Sequence, residues 1–153
     1  MMTINKINVR CFSLTDLNRI MEIEHASFTI DSFSEDIFMS WYHKCPYLFI
    51  VAEISGVVVG YMITCIAHTK GYVASIAVDP AYRHKSVGKT LVYFTFNHLK
   101  MSGVKIIELE VRSTNIESIR FWENLGFFPL RTISNFYNDG TDALKMRKLL
   151  GNS

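Results

Sequence analysis

A strand that hands over to a helix through a short basic turn constrains this chain more than any other stretch of it. The apolar run Val73–Val78 stops at Asp79-Pro80, and Arg83-His84-Lys85-Ser86-Val87-Gly88-Lys89 leads into an amphipathic segment reaching Ser102. The first helical turn has N–H groups with no intrahelical partner, and the helix dipole places its positive end there. Such a turn is a ready anion site. Arg83, Lys85 and Lys89 add mobile positive charge, so the segment reads as a seat for a phosphate, and better for the diphosphate of a larger cofactor. The Walker A loop is excluded, because Arg83 stands where its first glycine would fall. The dinucleotide fingerprint is excluded as well, since only Gly88 of its three glycines is present. A solvated helix start with incidental basic residues remains open on the turn alone.

A second segment narrows the choice. Residues 106 to 127 begin as an alternating strand through Val111, and Thr114-Asn115-Ile116-Glu117 fits a capping box that opens a helix. Ile119, Phe121, Trp122 and Leu125 give that helix an apolar side, and Gly126 is a suitable stop. The turn resembles the Arg/Gln-x-x-Gly-x-Gly/Ala pyrophosphate loop of the GNAT N-acetyltransferases, with Arg83 first, Ser86 in the first glycine position and Gly88 in the second. Ser86 suits that position at negative φ and is a poor substitute at positive φ. Leu109-Glu110-Val111-Arg112 through Gly126-Phe127 is similar to the corresponding block of the RimI/Ard1 branch, the protein N-terminal acetyltransferases. The ending Asn135-Phe136-Tyr137-Asn138-Asp139-Gly140-Thr141-Asp142-Ala143 resembles the same branch's closing hairpin. The likeness spans nearly the whole chain in order and spacing.

Composition agrees with a small enzyme. At 153 residues the chain reads as a single domain, 1–153, large enough for a layered core, and 49% hydrophobic content excludes a disordered chain. A net charge of +2 without a continuous basic tract argues against nucleic acid. The longest apolar run, Val57–Ala67, is broken by Gly60 and Thr64 and too short to span a bilayer, so no membrane association is expected. Cys11, Cys45 and Cys65 are odd in number and far apart in apolar sequence; buried thiols in a reducing cytoplasm are expected rather than disulfides. The histidines show no ligand spacing, and no metal is expected.

The walk along the chain gives strands at 5–12, 47–54, 57–66, 72–79, 105–111, 127–133 and 143–150. Helices fall at 13–27, from Ser34 to about Lys44, at 86–102 and at 115–125. Ser55-Gly56 reads as a hairpin turn. The class is α/β (α+β). The resemblance implies the GNAT fold, a mixed, mostly antiparallel seven-stranded sheet flanked by four helices, with strands 4 and 5 splayed to admit a pantetheine arm.

The same resemblance implies the chemistry. Acetyl-CoA would be the cosubstrate, paired through the backbone of Ile76, Ala77 and Val78, with the amides and side chains of Arg83, His84, Lys85, Ser86, Val87, Gly88 and Lys89 on its diphosphate. Asn115 would bond the pantetheine amides, or simply cap its helix, and Trp122 would lie against the cofactor where the family usually carries a tyrosine that protonates the leaving thiolate. An indole N–H is too weak an acid for that task. Glu110 is the expected proton acceptor, against the alternative of an exposed carboxylate paired with a neighbouring lysine, while Glu108 is expected to be solvated. Tyr72 and Tyr137 complete the catalytic group, Tyr72 sharing an ordering water or serving as core. Phe28, Ile30, Asp31 and Phe33 would form the other wall for the substrate, Asp31 attracting its charged N-terminus or simply starting a turn, with Tyr137 opposite as a substrate contact or as turn packing. The implied activity is direct acetyl transfer to the α-amine of a protein or peptide N-terminus, with a ribosome or auxiliary subunit as a further partner. The alternatives are a small-molecule amine or lysine acceptor, and a catalytically silent acyl-CoA-binding subunit.

Overall fold

In a computed structural model, which describes residues 6–28 and 32–151, seven strands and four α-helices alternate along the chain. The order is β1 Ile7–Cys11, α1 Leu17–Ser27, α2 Glu35–Lys44, β2 Phe49–Ile54, β3 Val57–Ala67, β4 Lys70–Val78, α3 Val87–Met101, β5 Ile106–Arg112, α4 Ile116–Asn124, β6 Phe128–Ile133 and β7 Ala143–Leu149. The strands line up as β1-β2-β3-β4-β5-β7-β6, with β4 and β5 parallel and β1–β2, β2–β3, β5–β7 and β7–β6 antiparallel. Backbone contacts divide the chain into two units, one of Met1–Cys65 with Ala74–His98, the other of Ile66–Val73 with Leu99–Ser153.

In the first unit the β2–β3 hairpin turns on Ser55 at φ 51° and Gly56 at φ 80°, the left-handed pair that a two-residue hairpin loop needs. β2 and β3 are apolar along most of their length, Glu53 and Thr64 being the exceptions, because their central residues are covered on both faces. Phe12 stacks on Phe49 with ring centroids 4.1 Å apart, and Phe38 of α2 meets Tyr61 edge-on at 5.5 Å. α1 presents Ile20 and Ile23 to this core, and Ser34 Oγ caps α2 by accepting from Ile37 N. Arg10 grips both oxygens of Asp16 at 2.8 and 2.9 Å, and that guanidinium holds the buried carboxyl below its ordinary range.

In the second unit the parallel contact is short: Lys70, Gly71 and Tyr72 pair with Ile106, Ile107 and Glu108. This is the limited ladder that splayed strands require. β5 pairs with β7 along its whole length, and Ile107, Leu109 and Val111 turn one face of it into the core. α4 is capped by Asn115, whose Oδ1 accepts from Ser118 N at 3.1 Å. The cap is therefore Asn115, one residue later than the Thr114 that opens the capping-box pattern.

Two other expectations change. Pro46–Leu48 forms a single 3-10 turn, because proline fixes φ and cannot donate to a ladder, and the second strand starts at Phe49 instead of Tyr47. The cysteines are not all buried thiols. Cys45 at the end of α2 and Cys65 in β3 are joined by a disulfide with Cα atoms 5.4 Å apart, and Cys11 is exposed. Twenty residues of sequence separation place no lower bound on distance through space, since the β2–β3 hairpin folds the chain back. Among the described residues no helix is long and apolar enough to cross a membrane.

Closing a loop of that length removes about 3 kcal/mol of denatured-state entropy. Reduction, or Cys45→Ser, is expected to lower the melting temperature by roughly 6–12 °C. Thermal melts with and without a thiol reductant check this, and coincident curves would show that the bond contributes no stability.

Candidate active site

The chemistry-bearing residues of the first unit gather where β4 ends. Asp79 donates its N–H to Val59 O at 2.8 Å, accepts from Ala81 N at 2.9 Å and is ion-paired to Arg19. Arg19 also donates to Val58 O at 2.9 Å. The strand end is thus tied to β3 before the chain turns through Pro80–Tyr82. Arg83 leans back, with Nε 3.3 Å from Val78 O and a terminal nitrogen 3.1 Å from Ser27 Oγ on α1. Arg83, His84, Lys85, Ser86 and Lys89 are exposed, and Val87 is buried at the start of α3. Ser86 O accepts both the amide of Thr90, at 3.0 Å, and its hydroxyl, at 2.7 Å. The first-turn amides of Val87, Gly88 and Lys89 are free of intrahelical partners by helix geometry.

Ser86 sits at φ 67° and His84 at φ 62°. The condition on Ser86 therefore resolves toward positive φ, the conformation in which a glycine is unstrained and a serine is not. Gly60 of β3 is the other backbone constraint. A Cβ there would lie 3.1 Å from Ala77 O and 3.2 Å from Val87 Cγ1, so its absence lets β3 approach both the β4 backbone and the first residue of α3.

Phe28 and Phe33 both pack against the first unit's core, while Ile30 and Asp31 lie outside the described residues. The sequence reading missed Glu24. This carboxyl is 1% exposed, accepts from Phe33 N at 2.7 Å and takes a short hydrogen bond from Tyr61 OH, which also lies 3.0 Å from Ser75 Oγ. Burial pushes Glu24 up, against the two hydrogen bonds, and pushes the Tyr61 phenol well above its usual value. The available signal was its place at i+4 from Ile20 and i+1 from Ile23 on the inner face of α1.

In the second unit two glutamates on one face of β5 have opposite fates. Glu108 is 7% exposed and accepts from Arg147 Nε at 2.7 Å, with Lys145 Nζ at 3.6 Å and Lys70 Nζ at 3.7 Å. It is buried and paired, not solvated as expected. Glu110 stands opposite Lys145 in the β5–β7 ladder, but the ammonium is 3.9 Å from Oε1, and Oε2 is buried with no hydrogen-bond partner among the described residues. Tyr72 is beside it: burial and the Glu110 carboxylate, with a smaller effect of Tyr137, push the Tyr72 phenol up. Tyr72, Glu110 and Tyr137 are thus brought together. Trp122 is 5% exposed and meets Phe121 and Phe127 edge-on at 5.0 and 5.1 Å. Asn115 spends its side-chain oxygen on the helix cap. Among the described residues no cluster of three acidic, histidine or cysteine side chains is placed to hold a metal.

Ser86→Gly is expected to raise stability by up to about 1 kcal/mol, the relief of a left-handed side chain less glycine's extra unfolded-state entropy. Gly60→Ala is expected to cost about 1–3 kcal/mol by overpacking against backbone. Urea unfolding of both variants reads these signs directly; a stabilised Gly60→Ala would show the close approach to be slack.

Residues 16–127 match the model of the acetyltransferase (GNAT) family. An uncharacterized N-acetyltransferase of Methanocaldococcus jannaschii is 33% identical, over 92% of this chain and 90% of its own. A putative ribosomal protein bS18-alanine N-acetyltransferase of Bacillus subtilis is also 33% identical, over 92% of this chain and 94% of its own. The crystal structure of Ard1 from Thermoplasma volcanium superposes with a TM-score of 0.91 at 26% identity, covering 95% of this chain and 98% of that one. With its seven-stranded mixed sheet, its basic turn into α3 and this agreement along nearly its full length, the chain belongs to the acetyltransferase (GNAT) family.

Proposed function

We propose that the protein transfers the acetyl group of acetyl-CoA to the α-amine of protein or peptide N-termini by direct attack. The observation that carries this reading is the buried Oε2 of Glu110, without a hydrogen-bond partner among the described residues and next to Tyr72, on a strand whose other glutamate on that face is fully paired. A buried carboxylate left with an open lone pair beside a phenol is placed to accept a proton. The names of the relatives in Bacillus subtilis and Sulfurisphaera tokodaii, the latter an N-alpha-acetyltransferase 29% identical over 90% of both chains, support the α-amine as acceptor.

In the first unit, the first-turn amides of α3 with Arg83, His84, Lys85 and Lys89 suit a diphosphate, whose charge the helix dipole and the mobile cations complement. The exposed side chains and free first-turn amides of this turn fit that group. The backbone of Ile76, Ala77 and Val78 supplies edge donors and acceptors for the amides of the pantetheine arm, and an N–H at Val78 faces the developing oxyanion. In the second unit, Glu110 takes the proton from the attacking nitrogen, directly or through one water ordered by Tyr72. Tyr137 holds the first residues of the substrate, and Phe28 and Phe33 line the wall in the first unit. Glu24 keeps Phe33 in place through its amide.

Amine basicity sets the substrate class. At pH 7 about a tenth of an α-amine with pKa near 8 is neutral, against roughly one lysine in a few thousand. A single carboxylate suffices for the former and not for the latter. Trp122 cannot protonate the departing thiolate, so that proton comes from Tyr137 or solvent.

Mass spectrometry after incubation with acetyl-CoA and peptides differing in their first residue, including an alanine start, tests this reading. Modification at α-amines, with lysine side chains and polyamines unmodified, is the expected result; acetyl transfer only to the controls would overturn it. Glu110→Gln is expected to lower kcat by about 100-fold or more with acetyl-CoA binding intact, measured by steady-state kinetics and calorimetry. Trp122→Tyr should lose about 1–3 kcal/mol of stability from the smaller ring yet keep or raise turnover. A collapse of turnover in a folded Trp122→Tyr protein would instead make the indole a required part of the site.

A further inference from the structure

Arg112, the last residue of β5, has its guanidinium carbon 4.3 Å from the centre of the Tyr137 ring, and one terminal nitrogen donates to both oxygens of Asp139, at 3.0 and 3.2 Å. Asp139 in turn accepts from Thr141 N at 3.0 Å, and Thr141 O accepts from Tyr137 N at 3.1 Å. The segment closes further through Gly140 N to Tyr137 O at 2.9 Å, Asn135 N to Asp142 Oδ1 at 3.0 Å and Ser113 N to Asp142 O at 3.0 Å. These bonds fix the loop's backbone. The Tyr137 ring itself is held by the Arg112 stack on its face and by an edge contact with Phe136, centroids 5.0 Å apart.

We propose that Arg112 is a positioning residue that sets the affinity for the substrate's leading residues by holding the Tyr137 ring and the 135–142 turn in one arrangement. The inference rests on the reading of Tyr137 as a substrate contact. Arg112 lies two residues beyond Glu110, on the same side of β5 by strand parity, so one strand carries both the proton acceptor and the support of the substrate loop. A planar guanidinium can stack on a ring face and donate to a carboxylate at once, and a lysine ammonium cannot do both. The side chain is 23% exposed, so replacement by lysine keeps the charge and the stem without opening the core.

The test is steady-state kinetics of Arg112→Lys and Arg112→Gln against a peptide that the unaltered protein acetylates, with acetyl-CoA affinity measured by calorimetry and folding by circular dichroism. The expected result is a rise in peptide KM of about fivefold or more in both variants, with kcat and acetyl-CoA affinity within about twofold. Asp139→Asn, which keeps the shape and loses the charge, should give a smaller rise in the same parameter. Unchanged KM in both arginine variants overturns the inference, and so does a loss of kcat at unchanged KM, which would put Arg112 in the chemistry. Failure of the α-amine reading is distinguishable, because the unaltered protein would then acetylate no peptide N-terminus, and that result overturns both.

Discussion

The charge cluster around Glu108 is the constraint on which the second unit's chemistry depends. Lys70 comes from β4, and Arg147 and Lys145 from β7, so one carboxylate on the central strand draws its two neighbours together. Burial by itself would raise this carboxyl; the hydrogen-bonded guanidinium and the two ammonium groups outweigh it and hold the group below its usual range. A carboxyl depressed in the folded state stabilises the fold above its unfolded pKa and loses that contribution as pH falls through the folded value. The cluster is therefore a feature of neutral pH that weakens in acid. Its further effect is on Glu110. Arg147 is committed to Glu108, and Lys145 lies nearer Glu108 than Glu110, which leaves Glu110 Oε2 without a hydrogen-bond partner among the described residues.

The first unit solves a different problem, that of presenting backbone groups. Its determinants are a missing side chain at Gly60 and a strained one at Ser86. Close approach of β3 seats Val87 in the core, and α3 then starts immediately beyond an exposed, cation-rich turn. The cost of a left-handed serine, about 1–2 kcal/mol, is small beside the burial that anchors the helix, and the backbone keeps its turn. Arg83 bridges Val78 O and Ser27 Oγ, so a ligand that recruits its guanidinium would compete with a contact to the last residue of α1.

Most of the fold could be read from periodicity and punctuation, because the apolar runs are long and the breaks carry their own chemistry. Ser55-Gly56 demands a hairpin, Gly103 at φ 79° ends α3, and Ser34 caps α2. What periodicity could not supply were pairings across the fold. The Cys45–Cys65 bond joins an element end to a strand interior, and neither the spacing nor the apolar surroundings of the two cysteines announce it. Glu108 and Glu110 are indistinguishable by parity, and only the residues opposite them on β7 separate a neutralised carboxylate from an open one. Glu24 was hidden for the same reason: its partners Tyr61 and Phe33 are 37 and nine residues away.

Division of labour between adjacent glutamates has a consequence for how this site tolerates change. Exchanging Glu108 for glutamine would leave Arg147, Lys145 and Lys70 without their shared counter-charge, and the nearest carboxylate to Lys145 would then be Glu110. A closer salt bridge there, drawn in from the present 3.9 Å contact with Oε1, would reach Oε2 and remove the open lone pair on which proton acceptance depends. The pairing of Glu108 is thus a condition for Glu110 to act. A protein that keeps one carboxylate fully occupied can leave one oxygen of its neighbour open, and the strand needs both.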